Sequence, residues 1–302
     1  MVVDKLENIF WLLKFLYNSN NLIMEITMEY ITKKGITEAL YNAGVDKGDT
    51  IFIHSDIAAF GTTENFSRKD TLCMFYETFK EVLGSEGTLC VPAYFYEYAR
   101  FGIPFDTALS PVSKELGVFA KYIHSLPISK RSCNPLAAVA AVGKNAEYIC
   151  APHSRHNYGA ESAFDKLYKL DAKIILLGTN MFSVTMGHYA EFKAGVPYMY
   201  NKIYNIPVYT NGQLIYDYTF ASVRYLNKDI EYKKTTDIEY ELEYNKYINT
   251  VPYLSSKISS VSIKQVTDIL INNILKNPYI HLDHKPDFPA GQIPNDGPVM
   301  KK

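Results

Sequence analysis

Strand-like apolar runs alternate with helix-like stretches up to about residue 197 of this chain. Thr50 to Ile53 and Gly87 to Phe95 are runs typical of strands, and residues 67–83 between them have helical spacing. Two strands joined through a helix pair in parallel, and the helices then cover the faces of the sheet. We therefore predict an α/β fold with a mainly parallel sheet covered on both sides.

The pattern changes at about residue 198. Apolar and polar residues alternate around Asn211-Gly212, a strong signal for a tight hairpin, and they predict an antiparallel C-terminal annex. Residues 227–248 and 262–276 are predicted helices. Beyond Lys276 lie five of the 14 prolines, which predicts an extended tail with His281 and His284 exposed.

These patterns predict one domain over residues 1–276. Its core covers about 35–200, the annex covers about 201–276, and the proline-rich tail covers 277–302.

The apolar N-terminal stretch has the period of an amphipathic helix, through Leu6, Ile9, Phe10, Leu13 and Tyr17. Lys14 interrupts it and it is shorter than the ~20 residues that a membrane span needs. A homodimer contact and docking on the chain's own core both explain such a helix. We predict no membrane partner.

Charge and cysteine usage narrow the class of protein. The 302 residues carry a net charge of −1, which gives no overall field to attract nucleic acid. The cysteines lack any CxxC pairing, and this favours reduced thiols and a cytoplasmic location. They are Cys73, Cys90, Cys133 and Cys150.

The run SVTMGHYAE, residues 183–191, carries the chemistry. His188 and Glu191 stand three apart, which places both side chains on one face of a helix. An imidazole with its unperturbed pKa of about 6.5 suits a general base, and a carboxylate behind it can fix the tautomer. A helix cap at His188 with Glu191 facing solvent is the structural alternative.

Seven segments in order resemble the aminoglycoside 3-N-acetyltransferase family. They are GDTIFIHSDIAAFG, GTLCVPAY, PFD, RSCNP, AAVG, YGAES and TMGHYAE, between about Gly48 and Pro197. The resemblance implies an α/β/α sandwich and an N-acyltransferase in which an amine attacks an acyl-CoA directly. It implies that His188 is the catalytic histidine, Glu191 its acidic partner and Thr185 a hydroxyl one turn earlier.

The resemblance also implies where acetyl-CoA or another acyl-CoA binds. The predicted donor-binding residues are His54, Ser55, Asp56, Arg131 and Ser132. A guanidinium binds phosphate well, and a surface ion pair is the alternative explanation of Arg131. We predict no metal, because the two histidines of PHSRH (152–156) lack a third ligand at a recognisable spacing.

Departures from the family pattern concern the acceptor. The chain has Asn134-Pro135 and Ser162-Ala163 where drug-modifying members usually have other residue pairs. Its net charge of −1 does not indicate the strongly acidic cleft that a cationic drug should favour. We therefore predict a nucleotide-linked deoxyamino sugar for surface polysaccharide, stacked on aromatic rings. An aminoglycoside 3-N-acetyltransferase that confers antibiotic resistance is the alternative, and an inactive binding protein of the same fold is the alternative from another class. The predicted acceptor-binding residues are Tyr94, Tyr158, His156 and Asp106.

Overall fold

A computed structural model describes residues 30–64, 67–152, 154–225, 230–233 and 237–287. The amphipathic helix predicted over residues 6–17 and the end of the predicted tail, 288–302, lie outside the described residues.

The strands of the described residues form one large and two small sheets. They are β1 (Thr50–Ser55), β2 (Thr88–Pro92), β3 (Phe105–Asp106), β4 (Lys130–Arg131), β5 (Val139–Gly143), β6 (Lys173–Leu177), β7 (Met199–Tyr204), β8 (Val208–Thr210), β9 (Gln213–Tyr216), β10 (Thr219–Arg224), β11 (Asn249–Tyr253) and β12 (Ser256–Ser262).

The α-helices of the same residues contribute buried side chains to three apolar clusters. They are α1 (Lys33–Asn42), α2 (Arg68–Leu83), α3 (Glu97–Phe101), α4 (Val118–Ser125), α5 (Ala146–Cys150), α6 (Ala163–Lys169), α7 (Met186–Ala194), α8 (Asp237–Tyr244) and α9 (Ile263–Lys276). None of these helices is both long and apolar enough to cross a membrane.

The large sheet has seven strands in the order β11-β12-β6-β1-β2-β5-β4. Its centre is parallel, because β1 pairs in parallel with both β2 and β6. The flanking strands β12, β11, β5 and β4 pair antiparallel with their neighbours. The predicted α/β fold is confirmed, and the three central strands form its parallel part.

Alternate residues of β1 face opposite layers of the molecule. Ile51 and Ile53 pack with α1, α2 and α4, whereas Phe52 packs with α6, α7 and α9. Both sides of the strand are therefore apolar, as a strand buried between two helical layers requires. The predicted α/β/α sandwich is confirmed.

The predicted hairpin lies where the turn signal placed it. β8 and β9 pair antiparallel around Asn211 and Gly212, and both turn residues have positive φ, 48° and 77°. β3 adds to this pair to form one small sheet, and β7 with β10 forms the other.

Residues 249–262, which the sequence pattern places in the annex, extend the central sheet. They form the hairpin β11–β12, and β12 pairs with β6 of the central sheet. α9 follows directly and buries Val266 and Leu270 in the cluster that contains Phe52. The C-terminal part of the chain therefore completes the central sandwich.

Candidate functional site

A cavity of about 1230 Å³ opens on the side of the sheet that α7 and α9 cover. Tyr94, which follows β2, and His188 of α7 line it, as do residues of β7 and β10. Its remaining wall comes from α9 and from two C-terminal segments, 230–233 and 280–283. The cavity thus lies where several separate elements meet.

His188 and Glu191 form the central pair of this cavity. Both lie on α7, and His188 Nδ1 is 2.7 Å from Glu191 Oε2. The His188 side chain is 46% exposed, whereas that of Glu191 is 1% exposed. The imidazole therefore faces the cavity with the carboxylate buried behind it.

The pair shifts both pKa values. Burial lowers the pKa of His188, but the hydrogen bond and the charge of Glu191 outweigh burial and hold it above its ordinary value of 6.5. Burial acts to raise the pKa of Glu191, yet its bonds to His188 and His281 lower it to about 2. Glu191 is therefore ionised at neutral pH.

Three further donors reach the Glu191 carboxylate. The Tyr198 hydroxyl donates to Oε1 at 2.7 Å and the Tyr232 hydroxyl donates to Oε2 at 3.2 Å. His281 Nδ1 lies 3.3 Å from Oε1. None of these three contacts was predicted from the sequence.

The prediction that His281 lies exposed in a tail is wrong. The Lys233 N–H donates to the His281 carbonyl at 3.0 Å, and the Asp283 N–H donates to the Glu231 carbonyl at 3.0 Å. These bonds hold the segment against the cavity, with Leu282 buried beneath it. The apolar residues that flank His281 in Ile280-His281-Leu282 are a sequence signal that could have indicated a packed segment.

Thr185 precedes α7 and lines the same cavity. The Tyr94 hydroxyl donates to Thr185 Oγ1 at 2.8 Å. Because Thr185 Oγ1 accepts this hydrogen bond, the threonine hydroxyl can donate its own hydrogen bond to another group.

The residues predicted to bind the donor do not line this cavity. His54 is buried beside Phe52, with ring centroids 4.9 Å apart, and burial lowers its pKa to about 4. Ser55 is half-buried and Asp56 is exposed at the end of β1. Ser132 is buried, and its hydroxyl accepts from the Val139 N–H at 2.9 Å.

Arg131 binds backbone carbonyls in this structure. Its Nε donates to the Ala93 carbonyl at 2.8 Å and its Nη1 to the Ser110 carbonyl at 2.6 Å. The guanidinium is buried and stacks on Phe105, 4.6 Å from the ring centroid. The structure thus gives Arg131 a structural position, and its assignment to the donor stays a prediction.

Two of the four residues predicted to bind the acceptor line the cavity, Tyr94 and Tyr158. The structure places His156 outside it, where Nδ1 accepts from the Tyr158 N–H at 3.0 Å and Nε2 bonds Asn201 at 2.9 Å. Burial lowers the pKa of His156, although its bond to Asn201 acts to raise it. His156 therefore holds the backbone of Tyr158 from outside the cavity.

Asp106 also lies away from the cavity and holds the hairpin turn. Burial acts to raise the pKa of Asp106, but N–H groups of residues 108, 109, 211 and 212 bond its carboxylate and lower the pKa overall. The Gly212 N–H donates to Oδ2 at 2.7 Å. This arrangement fixes β8 and β9 beside β3.

Among the residues that the structure describes, no group of three or more His, Cys, Asp or Glu side chains is arranged to hold a metal ion. His153 of the PHSRH segment lies outside them.

The cavity contains charges of both signs and many aromatic rings. Glu231, Glu241 and Asp283 line it together with Arg224 and Lys233. Aromatic lining residues include Tyr96, Tyr200, Tyr204 and Tyr232. Such walls suit a ligand that combines sugar rings with charged groups.

Comparison with a known family covers most of the elements that line the cavity, up to residue 274. The family model described as aminoglycoside 3-N-acetyltransferase matches residues 52–274. Aminoglycoside N(3)-acetyltransferase III of Salmonella is 30% identical over 200 residues, 61% of this chain and 68% of that protein. A prophage-derived aminoglycoside N(3')-acetyltransferase-like protein of Bacillus subtilis is 25% identical over 284 residues, 84% of this chain and 98% of that protein.

A solved structure has the same fold. AAC-IIIb in its binary complex with CoASH aligns with a TM-score of 0.70 at 20% identity, over 85% of this chain and all of that chain. The predicted nucleotide-linked sugar as acceptor is wrong, because the relatives are named as aminoglycoside N(3)-acetyltransferases. Their names favour the alternative, an aminoglycoside.

Proposed function

The chain belongs to the aminoglycoside 3-N-acetyltransferase family, and we propose that it transfers an acetyl group from acetyl-CoA to an amino group of an aminoglycoside. Membership of this family confirms the prediction of an N-acyltransferase. The observation that carries the proposal is the His188–Glu191 pair, whose imidazole faces a cavity large enough for two substrates.

The size and charges of the cavity support this pair of substrates. Its volume of about 1230 Å³ exceeds the ~300–1,000 Å³ of common small-molecule pockets, which leaves room for an acceptor and the thioester arm of the donor. Glu231, Glu241 and Asp283 offer carboxylates for ammonium groups of the acceptor. Arg224 and Lys233 suit the phosphates of the donor.

His188 acts as the general base. Because Glu191 is ionised and accepts a hydrogen bond, Nδ1 of His188 carries the proton and Nε2 keeps its lone pair. Nε2 takes a proton as the acceptor nitrogen attacks the thioester carbon. The new C–N bond forms, the C–S bond breaks, and the imidazolium returns its proton to the leaving thiolate.

Thr185 stabilises the oxyanion of this reaction. Its hydroxyl lies in the same cavity, and Tyr94 orients it by donating to Oγ1. The free hydroxyl proton is then available to the thioester oxygen as negative charge develops. No acyl-enzyme is required, since the amine attacks the donor directly.

The test is product formation by the purified full chain. Acetyl-CoA and a panel of aminoglycosides are supplied, thiol release is followed, and the product is examined by mass spectrometry. We expect release of CoA that depends on the aminoglycoside, together with a mass gain of one acetyl group on the drug. Absence of both signals across the panel would contradict the proposal, and His188→Ala serves as the matched inactive control.

A further inference from the structure

Glu191 is shared between two histidines. His188 Nδ1 and the Tyr232 hydroxyl contact Oε2, at 2.7 and 3.2 Å, whereas the Tyr198 hydroxyl and His281 Nδ1 contact Oε1, at 2.7 and 3.3 Å. A carboxylate can accept about four hydrogen bonds, so these partners fill both oxygens. The orientation of the carboxylate therefore depends on groups from four different parts of the chain.

We propose that His281 is a positioning residue for acetyl transfer, which holds Glu191 in the orientation that His188 needs. This inference rests on the proposed function of the site. His281 Nδ1 faces a carboxylate, so Nδ1 carries a proton and donates a hydrogen bond to Oε1 of Glu191.

Residues 230–233 and 280–283, called here the C-terminal strap, bring His281 to the site. Tyr232 and Leu282 pair across it as an antiparallel bridge, and the Lys233 N–H donates to the His281 carbonyl. The strap thus supplies one donor to each oxygen of Glu191, Tyr232 to Oε2 and His281 to Oε1.

The surroundings of Glu191 explain why such a donor matters. The side chain is 1% exposed, so water cannot replace a lost partner easily. The His281 side chain is 22% exposed and lines the cavity, so it acts at the boundary between the buried carboxylate and the substrates. Without it, Oε1 keeps only the tyrosine bond and the carboxylate gains freedom to rotate away from His188.

Three substitutions of His281 separate positioning from general structural support. His281→Ala is expected to lower kcat about tenfold, with KM for acetyl-CoA changed less than about twofold. His281→Asn is expected to restore most of kcat, because an asparagine amide nitrogen can occupy the position of Nδ1. His281→Gln is expected to restore little, because its longer side chain places the amide nearer the position of Nε2.

His284→Ala is the matched control, since this exposed histidine lies three residues further along the same segment. It is expected to keep the wild-type kcat. An unchanged kcat in His281→Ala would overturn the inference. So would equal losses in the Ala and Asn variants, which would indicate structural support alone.

A spectroscopic readout separates failure of the inference from failure of the proposed function. Nitrogen NMR of His188 reports which ring nitrogen carries the proton, without any substrate. We expect the Nδ1–H tautomer in the wild type and in His281→Asn, and a larger share of the Nε2–H tautomer in His281→Ala. If aminoglycosides are not acetylated but the tautomer shifts as expected, the proposed function fails and the positioning role stands. An unchanged tautomer in His281→Ala would overturn the positioning role, whatever the activity.

Discussion

At the scale of single residues, the site depends on one buried carboxylate. Glu191 accepts a hydrogen bond from Nδ1 of His188, which leaves Nε2 as the proposed base. The same contact holds the pKa of His188 above 6.5, and together with the bond to His281 it lowers the pKa of Glu191 to about 2. This hydrogen bond therefore affects both the tautomer and the pKa of the proposed base.

Glu191→Gln is expected to move the pH profile of the enzyme. The base works only when neutral, so kcat/KM of the wild type rises with pH through a His188 pKa above 6.5. A neutral amide removes the negative charge that raises the pKa of His188, whereas burial, which lowers that pKa, remains. The inflection of the kcat/KM profile therefore moves to lower pH. The plateau falls by about a hundredfold, because the amide also fails to fix the tautomer.

The measurement is kcat/KM for one aminoglycoside from about pH 5 to about pH 9, in both proteins. Use of one acceptor removes the titration of the substrate amine from the comparison. An inflection that stays in place would show that Glu191 does not control the base.

At the scale of elements, buried polar side chains fix the loops that carry the site. Arg131 of β4 joins the end of β2, at Ala93, to the loop before α4, at Ser110 and Pro111. Ala93 immediately precedes Tyr94, which orients Thr185. Arg131, which the sequence assigns to the donor, thus holds the segment that carries Tyr94.

Arg131→Leu is expected to destabilise the fold by about 2–4 kcal/mol, because it leaves several buried carbonyls without donors. Denaturant unfolding measures this change. Lys130→Ala is the neighbouring control, since its ion pair with Glu147 is exposed and should leave the unfolding midpoint unchanged.

A milder variant, Arg131→Lys, tests the donor-binding prediction. It keeps the positive charge and is expected to bind acetyl-CoA as the wild type does while unfolding at lower denaturant. Weaker acetyl-CoA binding at unchanged stability would favour the sequence-based assignment to the donor.

At the scale of the whole molecule, stability and pH are linked through buried histidines. Burial lowers the pKa of His54 to about 4, from 6.5 in the unfolded chain. Between these values the unfolded state binds a proton that the folded state excludes. Folding stability is therefore fully present above pH 6.5 and falls as the pH approaches 4.

His54→Leu is expected to remove part of this acid sensitivity. The wild type loses about 3 kcal/mol through His54 between these pH values, and the variant lacks that loss. The measurement compares the free energy of unfolding at about pH 7 and about pH 4.5. His284→Leu, at an exposed histidine, is the control and should follow the wild type. Equal acid sensitivity in His54→Leu and the wild type would contradict this account.

The sequence predicted the parts of the fold that local patterns determine. The β1–α2–β2 unit and the Asn211-Gly212 hairpin follow from periodicity and turn chemistry, and the His188–Glu191 pair follows from helical spacing. Each of these signals lies within a short stretch of chain.

The rest depends on contacts between distant segments. The pairing of β12 with β6 joins residues about eighty positions apart, and polar Ser259 and Ser260 weaken the strand pattern. Tyr232 and His281 reach Glu191 only because the C-terminal strap folds back over the cavity. The spacing of residues within a short stretch of sequence cannot predict that a distant segment folds back over the cavity.

The most direct test of the central claim measures acetyl transfer by His188→Ala, with acetyl-CoA binding measured on the same protein. The predicted result is a loss of kcat of at least about a hundredfold with an unchanged dissociation constant for acetyl-CoA. A variant that turns over at the wild-type rate would contradict the role of His188 as the base.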